Sequence, residues 1–395
     1  MHQEFMFSCE SVTEGHPDKM CDQISDAIVD RFLQRDRLAR VVAECAVANG
    51  VLFVASRFAS PLSIDIPDVA RKVIEEIGYT DEDFNAKDCT VMTNLTSLPQ
   101  DDAARIDESS LTDEELDRVP ADHMANVFGY ACDQTPGLIP LPLWLAHKLA
   151  RRLAAVRLKR QLLYLTPDGH AQVGVEYRAS RPYRIHSITL VASQRGPAIR
   201  ALPGLRDDLW DLVIAPAFSD EPIEPDNSTR IVVNPEGPRT SGGPSAHSGL
   251  TGRKNAIDTY GEYSRHAGAA LSGKHPTRVD RIGVYAARHA AKNVVAAGLA
   301  SECEVQLTYF IGQPEPASIQ VNARETRHVT AEQIRSLVQR HFDFRPAAIV
   351  RRFDLRCLPA RHEGSFYRRL AAYGHVGRTD IDLPWEVTDQ AEMLR

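Results

Sequence analysis

The chain predicts an α+β fold built of three similar sheet-and-helix modules, and three stretches carry that expectation. Arg40 to Ser60 holds two β-rich runs joined at Asn49-Gly50, followed by helical apolar spacing from Pro67 to Ile77. Asn-Gly tolerates the positive φ angles of a type I′ turn, so a two-residue hairpin is expected there. Leu143 to Arg160 has helical apolar spacing with many basic positions, Ala171 to Tyr177 alternates, and His186 to Ser193 reads as another strand. Asp280 to Ala300 is Ala-rich and helical, Cys303 to Ile311 alternates, and Ser318 to Ala323 is placed to pair with it. Thr330-Ala331-Glu332-Gln333 then forms a capping box that opens a helix running to Phe342. No repeat is visible at the level of residue identity. The acidic stretch Gln100 to Asp122, with nine Asp or Glu residues, reads as a mobile loop after the first module. Pro216 to Pro225 marks a looser join between the second and third. The expected domains are 1–104, 118–232 and 233–395.

Composition narrows the function without naming it. A chain of 395 residues holds two or three domains with sizeable cores. Hydrophobic content of 43%, 25% charged residues and a net charge of −7 describe an ordinary soluble protein and give no reason to expect a nucleic-acid partner. Any phosphate binding must therefore be local. No basic segment followed by an apolar run opens the chain, and no stretch of ~18 apolar residues suits a membrane, so a cytoplasmic location without membrane association is expected. Seven scattered cysteines, never spaced CxxC, indicate neither a disulfide framework nor a zinc site.

Charge concentrates in a few places. Gly15-His16-Pro17-Asp18-Lys19 sets an imidazole, a carboxylate and an ammonium around one proline, directly ahead of the amphipathic run from Cys21 to Asp30. A helix starting there aims unpaired N–H groups and its positive dipole end at the loop, which suits phosphate oxygens, while Asp18 suits a divalent cation. An ordinary Pro-started helix fits those residues equally well when they are taken alone. Ser241 to Lys254 adds glycines able to form a backbone nest, closed by Arg253-Lys254. Ser272-Gly273-Lys274-His275-Pro276, with Asp280 beyond it, is the third patch. Gly268 to Lys274 imitates a P-loop, but His275 stands where Ser or Thr would bind magnesium, and no buried strand precedes it. Together the three patches indicate a polyphosphate site with bound metal.

These residues also carry a family pattern. GHPDK (15–19), FGYA (128–131), GLTGRK (249–254), DTYG (258–261), SGKHPTRVDR (272–281), YAAR (285–288), AKNVVAAGLA (291–300) and AYGHVGR (372–378) resemble the S-adenosylmethionine synthetase family nearly end to end. The resemblance implies three α+β domains related by pseudo-threefold symmetry, and a homodimer or dimer of dimers with active sites between subunits. It implies ATP and a small sulfur nucleophile as substrates, with Mg2+ and K+ as cofactors. The reaction implied is attack of the methionine sulfur on C5′ of ATP, expelling triphosphate that is then cut to pyrophosphate and phosphate. A thioether has no proton to lose, so positioning and neutralisation of the leaving group must supply the catalysis. Carried onto this chain, His16 lies near the ribose 5′-oxygen and triphosphate, and Glu10 and Asp168 contact the nucleotide. Lys19, Arg253, Lys254 and Lys274 grip phosphates, with Arg278 in a position usually filled by lysine. Asp18 and Asp280 hold magnesium, and Glu44 matches a carboxylate associated with potassium.

The acceptor end departs from the pattern. Arg57 replaces a glutamate that helps hold the methionine ammonium, Leu98 aligns with a glutamine of the gating loop, and His123 aligns with an aspartate unless a one-residue shift lets Asp122 serve. His247 replaces the acid before GLTGRK, His170 replaces a phosphate-site lysine, and Arg239 falls where a phenylalanine stacks on adenine. Ile311, an apolar wall of the pocket, is retained. Exchanging a carboxylate for a guanidinium ~4 Å from an ammonium reverses an interaction of about 1–4 kcal/mol. The expected acceptor pocket of Arg57, Leu98, His123, His247 and Ile311 therefore suits a methionine-like molecule that lacks the ammonium or presents an anion. Arg57 facing solvent or pairing with the acidic loop would leave methionine itself. An ATP or polyphosphate hydrolase and a non-catalytic partner subunit are the alternatives to transfer.

Overall fold

The computed structural model describes residues 4–80, 84–99, 105–326 and 328–395. In the first third β1 (Phe5–Val12) leads into α1 (Pro17–Arg35), the hairpin β2 (Arg40–Ala48) and β3 (Val51–Ala59), α2 (Ile66–Ile77) and β4 (Thr90–Ser97). After the short α3 (Asp113–Leu116) the middle third repeats that order: β5 (Ala125–Cys132), α4 (Leu141–Leu158), the hairpin β6 (Leu165–Arg178) and β7 (Arg181–Gln194), α5 (Leu202–Leu209), α6 (Ala215–Phe218) and β8 (Arg230–Val233). The last third has β9 (Gly249–Leu250), α7 (Asn255–Asp258), α8 (Val279–Ala296), the hairpin β10 (Glu302–Tyr309) and β11 (Ser318–Arg324), α9 (Ala331–His341) and α10 (Pro346–Phe353).

The modules are not self-contained. β1 pairs with β6, β5 with β10, and β9 with β2, all antiparallel, so each third donates its first strand to the sheet of another. The three sheets share one order, donated strand then hairpin, and in two of them the last strand returns parallel to the hairpin's second arm, β4 on β3 and β8 on β7. This cyclic exchange is the pseudo-threefold arrangement of an α+β fold. The helix after each donated strand covers its sheet: α1 packs on β2, α4 on β1 and β6, α8 on β5 and β10.

Local chemistry explains the elements. The β2–β3 turn is the expected two-residue hairpin, with Ala48 opposite Val51 and Asn49 at φ 49°. Both halves of the Thr330–Gln333 capping box form. α1 begins with His16 Nδ1 accepting the Asp18 N–H at 3.2 Å and with Pro17 in its first turn. Almost every α1 residue is buried, including Asp18, Asp22, Asp26 and Asp30, which recur every fourth residue and so share one face. Each accepts backbone N–H groups from the C-terminal third: Asp18 from Leu250 (3.0 Å), Asp22 from Gly252 (2.8 Å), Asp26 from Gly273 (2.8 Å), and Asp30 from Tyr367 and Arg368 (both 2.9 Å). Gly249 and Gly273 let that chain pass close: a Cβ would lie 2.2 Å from the Pro17 carbonyl oxygen at the first and 2.0 Å from that of Ala43 at the second, where φ is +78°.

Two expectations are corrected. Of the acidic stretch, Gln100 to Ala104 lies outside the described residues; the rest is docked rather than loose. Arg105 grips Asp36 through two bonds of 2.9 and 3.1 Å, Arg356 grips the buried Glu108, and Leu116 is fully buried. The acids are counterions for arginines, such as Arg345 at the start of α10 on Asp117 and Arg351 within α10 on Asp113. The Pro216–Pro225 join is likewise fixed, because Phe218 is buried and Glu221 accepts from Trp144 Nε1 and Lys148 Nζ on α4.

Asp30→Ala strips two buried amides of their acceptor. The expected loss is roughly 1–3 kcal/mol for each amide left unpaired, read as a fall in the urea unfolding midpoint with unchanged m. An unchanged midpoint would show that the aspartate face of α1 does not hold the C-terminal third.

Candidate active site

The sequence-predicted residues gather in two clusters rather than one. The first surrounds the N-terminus of α1, where the Asp18 carboxylate has Oδ1 on the Leu250 N–H and 3.4 Å from Arg253 Nη1, and Oδ2 3.8 Å from His16 Nδ1. Glu10 on β1 bonds Lys254 Nζ at 2.6 Å and His170 Nε2 at 2.9 Å. The His170 bond foremost, with Lys254 adding to it against burial, holds the Glu10 carboxyl down at about 2. Asp168 on β6 is buried and accepts from the Gly243 N–H and from His247 Nε2, both at 2.9 Å, and the His247 and His16 rings sit 4.9 Å apart. Although burial opposes it, the His247 bond and the neighbouring His16 keep Asp168 below the usual carboxylate range. Arg239 is partly exposed beside these groups, its Nε donating to the Ser241 carbonyl at 3.3 Å.

The second cluster lies at the start of α8. Asp280 is buried, with Lys274 Nζ at 3.3 Å and Arg278 Nη2 at 3.7 Å, and its Oδ2 makes no hydrogen bond among the described residues. Burial lowers the Lys274 ammonium from its ordinary value. Asp122 bonds Arg40 at 3.2 Å and lies 3.9 Å from Arg278, and its Oδ1 is buried without a hydrogen bond. Next to it a cavity of about 550 Å³ is lined by Glu44, Arg57, Leu98, Arg40, Arg105 and Arg278, among others. A larger cleft of about 940 Å³, lined by Phe7, Phe128, Tyr263 and Arg265, contains none of the predicted residues.

Several placements differ from expectation. Lys19, expected on the phosphates, is fully buried with its Nζ between Asp22 (2.9 Å) and Asp258, so it locks α1 to the DTYG segment. Its presence between two acids raises its pKa despite burial. His247, expected in the acceptor pocket, belongs to the first cluster. His123 is exposed while its neighbour Asp122 turns inward, as the one-residue shift requires. Ile311 is 62% exposed, but its loop meets Asp122 because the Ala121 N–H donates to the Gln313 carbonyl and the Gly312 N–H to the Ala121 carbonyl. Asp18 and Asp280, expected to hold magnesium together, are apart. Lys274 bridges Val42 on β2 while Leu250 pairs with Ala46, four residues away, so the clusters stand about 13 Å apart along that strand.

The donors suit the ions that the motifs imply. Hard oxygen donors match magnesium, and the Oδ2 of buried Asp280, ion-paired to Lys274 and Arg278 but without a hydrogen bond among the described residues, and the Oδ2 of Asp18 are such donors. Glu44 is an exposed carboxylate on the cavity wall and makes no ion pair among the described residues, which fits a loosely held monovalent ion.

Comparison with known proteins decides the relationship. The family models for the S-adenosylmethionine synthetase N-terminal, central and C-terminal domains match residues 4–99, 118–239 and 241–387 in order. The chain belongs to the S-adenosylmethionine synthetase family. It is 48% identical to the S-adenosylmethionine synthase of Synechococcus sp. (strain JA-3-3Ab), over 99% of this chain and 97% of that protein. It is 47% identical to those of Synechococcus elongatus and Acaryochloris marina, over all of this chain and 98% and 97% of theirs. No described helix is long and apolar enough to cross a membrane. Within this synthetase framework the aspartate face of α1 escaped the sequence reading, although DKMCDQISDAIVD displays it: four acids at helical spacing inside an otherwise buried run need buried partners.

Burial lowers the His16 imidazole from 6.5 to about 4, with the nearby Asp168 and Asp18 opposing and His247 and Lys254 adding to the fall. Between those two values the unfolded chain binds more protons than the folded one, so stability rises with pH across that window. His16→Asn keeps an N-cap but removes the titration, and should flatten the slope by up to one proton, ~1.4 kcal/mol per pH unit. Urea unfolding at several pH values within the window checks it; an unaltered slope would place His16 in water.

Proposed function

We propose that the protein transfers the 5′-adenosyl group of ATP to the sulfur of L-methionine, expelling triphosphate and then cleaving it to pyrophosphate and phosphate. The observation that carries this reading is the cluster at the N-terminus of α1. The N-terminal end of α1, Arg253 and Lys254 face the same region as His16 and Asp18, which is where a departing polyphosphate needs positive charge. Glu10 holds Lys254 in place, and Asp168 fixes the Gly243 loop and His247 around the nucleoside end. Because the sulfur carries no proton, these residues need only bind, orient and neutralise. Magnesium, when bound by Asp18 and Asp280, supplies further neutralisation of phosphate charge. Lys274 and Arg278 add cations from the second cluster.

One chain holds those clusters about 13 Å apart, and we infer that a site is completed by a second copy of the chain. The outer face of the β9-β2-β3-β4 sheet supports this homodimer. Across it runs the row Leu250, Ala46, Phe53 and Met92, in which Leu250, Phe53 and Met92 are 48%, 40% and 54% exposed. A row of that kind, bordered by Glu44 and Arg57 on the same face, suits an isologous contact that brings the first cluster of one copy to the second of the other.

Asp122 supports methionine as the acceptor, since its buried, unbonded Oδ1 offers an ammonium the carboxylate that Arg57 does not. A second reading, an acceptor that presents an anion, is favoured by Arg57 on the cavity wall, which makes no ion pair among the described residues, whereas Arg40, Arg105 and Arg278 are already paired with Asp122, Asp36 and Asp280. Incubation with ATP, magnesium, potassium and L-methionine, with S-adenosylmethionine followed by mass spectrometry and phosphate by colorimetry, separates them. The expected result is S-adenosylmethionine formed with matching phosphate. Phosphate without it would overturn methionine as acceptor. Arg57→Glu should lower KM for methionine by about tenfold, equivalent to ~1.4 kcal/mol, and an unchanged KM would mean that Arg57 faces away from the acceptor.

A further inference from the structure

We propose that His16, Asp168 and His247 form a binding site for one borderline divalent transition-metal ion of the zinc and cobalt class, separate from the carboxylates offered to magnesium. One ring nitrogen from each histidine and one Asp168 oxygen lie within 4.8 Å of one another. The His247 Nε2 to Asp168 Oδ2 separation of 2.9 Å is already close to the ~3 Å that two ligands keep around a single zinc-sized ion with bonds of about 2.0–2.2 Å. His16 is the third ligand, and a shift of about 1–2 Å brings it to that spacing. The half-exposed His247 side chain has room to make such a shift, whereas Asp168 is buried and pinned by the Gly243 N–H.

The surroundings favour this ligand set. His16 Nδ1 accepts the Asp18 N–H as the N-cap of α1; a metal on Nε2 moves the ring proton to Nδ1, which gives up that cap and has Asp18 Oδ2, 3.8 Å away, as the acceptor within reach. Two neutral imidazoles and one carboxylate prefer zinc, cobalt or nickel to magnesium, and three protein ligands leave a coordination position for water or a phosphate oxygen. His247 stands where the family motif carries an acid, so the two-histidine set is a feature of this chain rather than of the motif.

Metal binding itself does not depend on the proposed function; a further consequence, competition with ATP for the His16 side of the site, rests on it. Chelator-treated full-length protein is titrated with cobalt(II) in the absence of ATP and magnesium, following visible d–d absorption and bound metal per chain. One equivalent is expected, with affinity reduced ~10-fold or more in both His247→Ala and His247→Gln. His170→Ala, which alters the neighbouring Glu10 pair, should leave cobalt binding unchanged. Cobalt binding unaffected by both His247 substitutions, in variants whose circular dichroism and melting match the parent, would overturn the site. Zinc inhibition of the parent should be relieved by raising ATP. Binding that requires His247 without such relief would keep the metal site and count against the nucleotide reading.

Discussion

Four buried aspartates on one face of α1 hold this molecule together. A carboxylate in a protein interior is costly unless its oxygens find partners, and each of these four accepts at least one backbone amide from residues more than 200 positions later in the chain. The cations that complete the balance are equally buried: Lys19 between Asp22 and Asp258, and Arg281 on Asp26. Burial raises the Asp30 and Asp258 carboxyls to about 7 even so. The face therefore specifies which loop meets α1, and at which turn, more than it adds net stability.

That register positions the charge clusters. Asp18 places Leu250 and Arg253 at the N-terminus of α1, and Asp26, two turns on, places Gly273 and with it Lys274 beside Asp280. Eight residues of helix separate these rungs by about 12 Å, in agreement with the spacing along β2. Each cluster is thus held by a helix and a sheet edge. Lys19 shows the same economy of charge: a residue that looks like a phosphate ligand in GHPDK instead ties down the helix whose end carries the first cluster.

The local part of the fold was legible. The Asn49-Gly50 hairpin, the Thr330 capping box and the bodies of α2, α4, α8 and α9 follow from short-range chemistry and lie within a few residues of their expected ends. The donated strands were not, because β1, β5 and β9 pair with partners that begin 150 or more residues away and owe their existence to that pairing. The docked acidic stretch was hidden for a similar reason: its acids read as solvated until Arg345, Arg351 and Arg356 are brought to them. Of the site, His16 and Asp18 of GHPDK and Arg253 and Lys254 of GLTGRK lie together, whereas His247 joins them instead of the acceptor pocket and Asp122, not His123, turns inward.

On the proposed reading neither cluster works alone, and each site draws one cluster from each of two chains. Lys254→Ala disables the first cluster and Asp280→Ala the second, so each homodimer should be inactive. Differently tagged copies of the two variants, co-expressed and purified through both tags, give mixed dimers in which one site carries both substitutions and the other neither. These dimers should recover about half of the parent's turnover of ATP and methionine. Mixed dimers as inactive as either variant alone would contradict it, because a site built within one chain gains nothing from a partner.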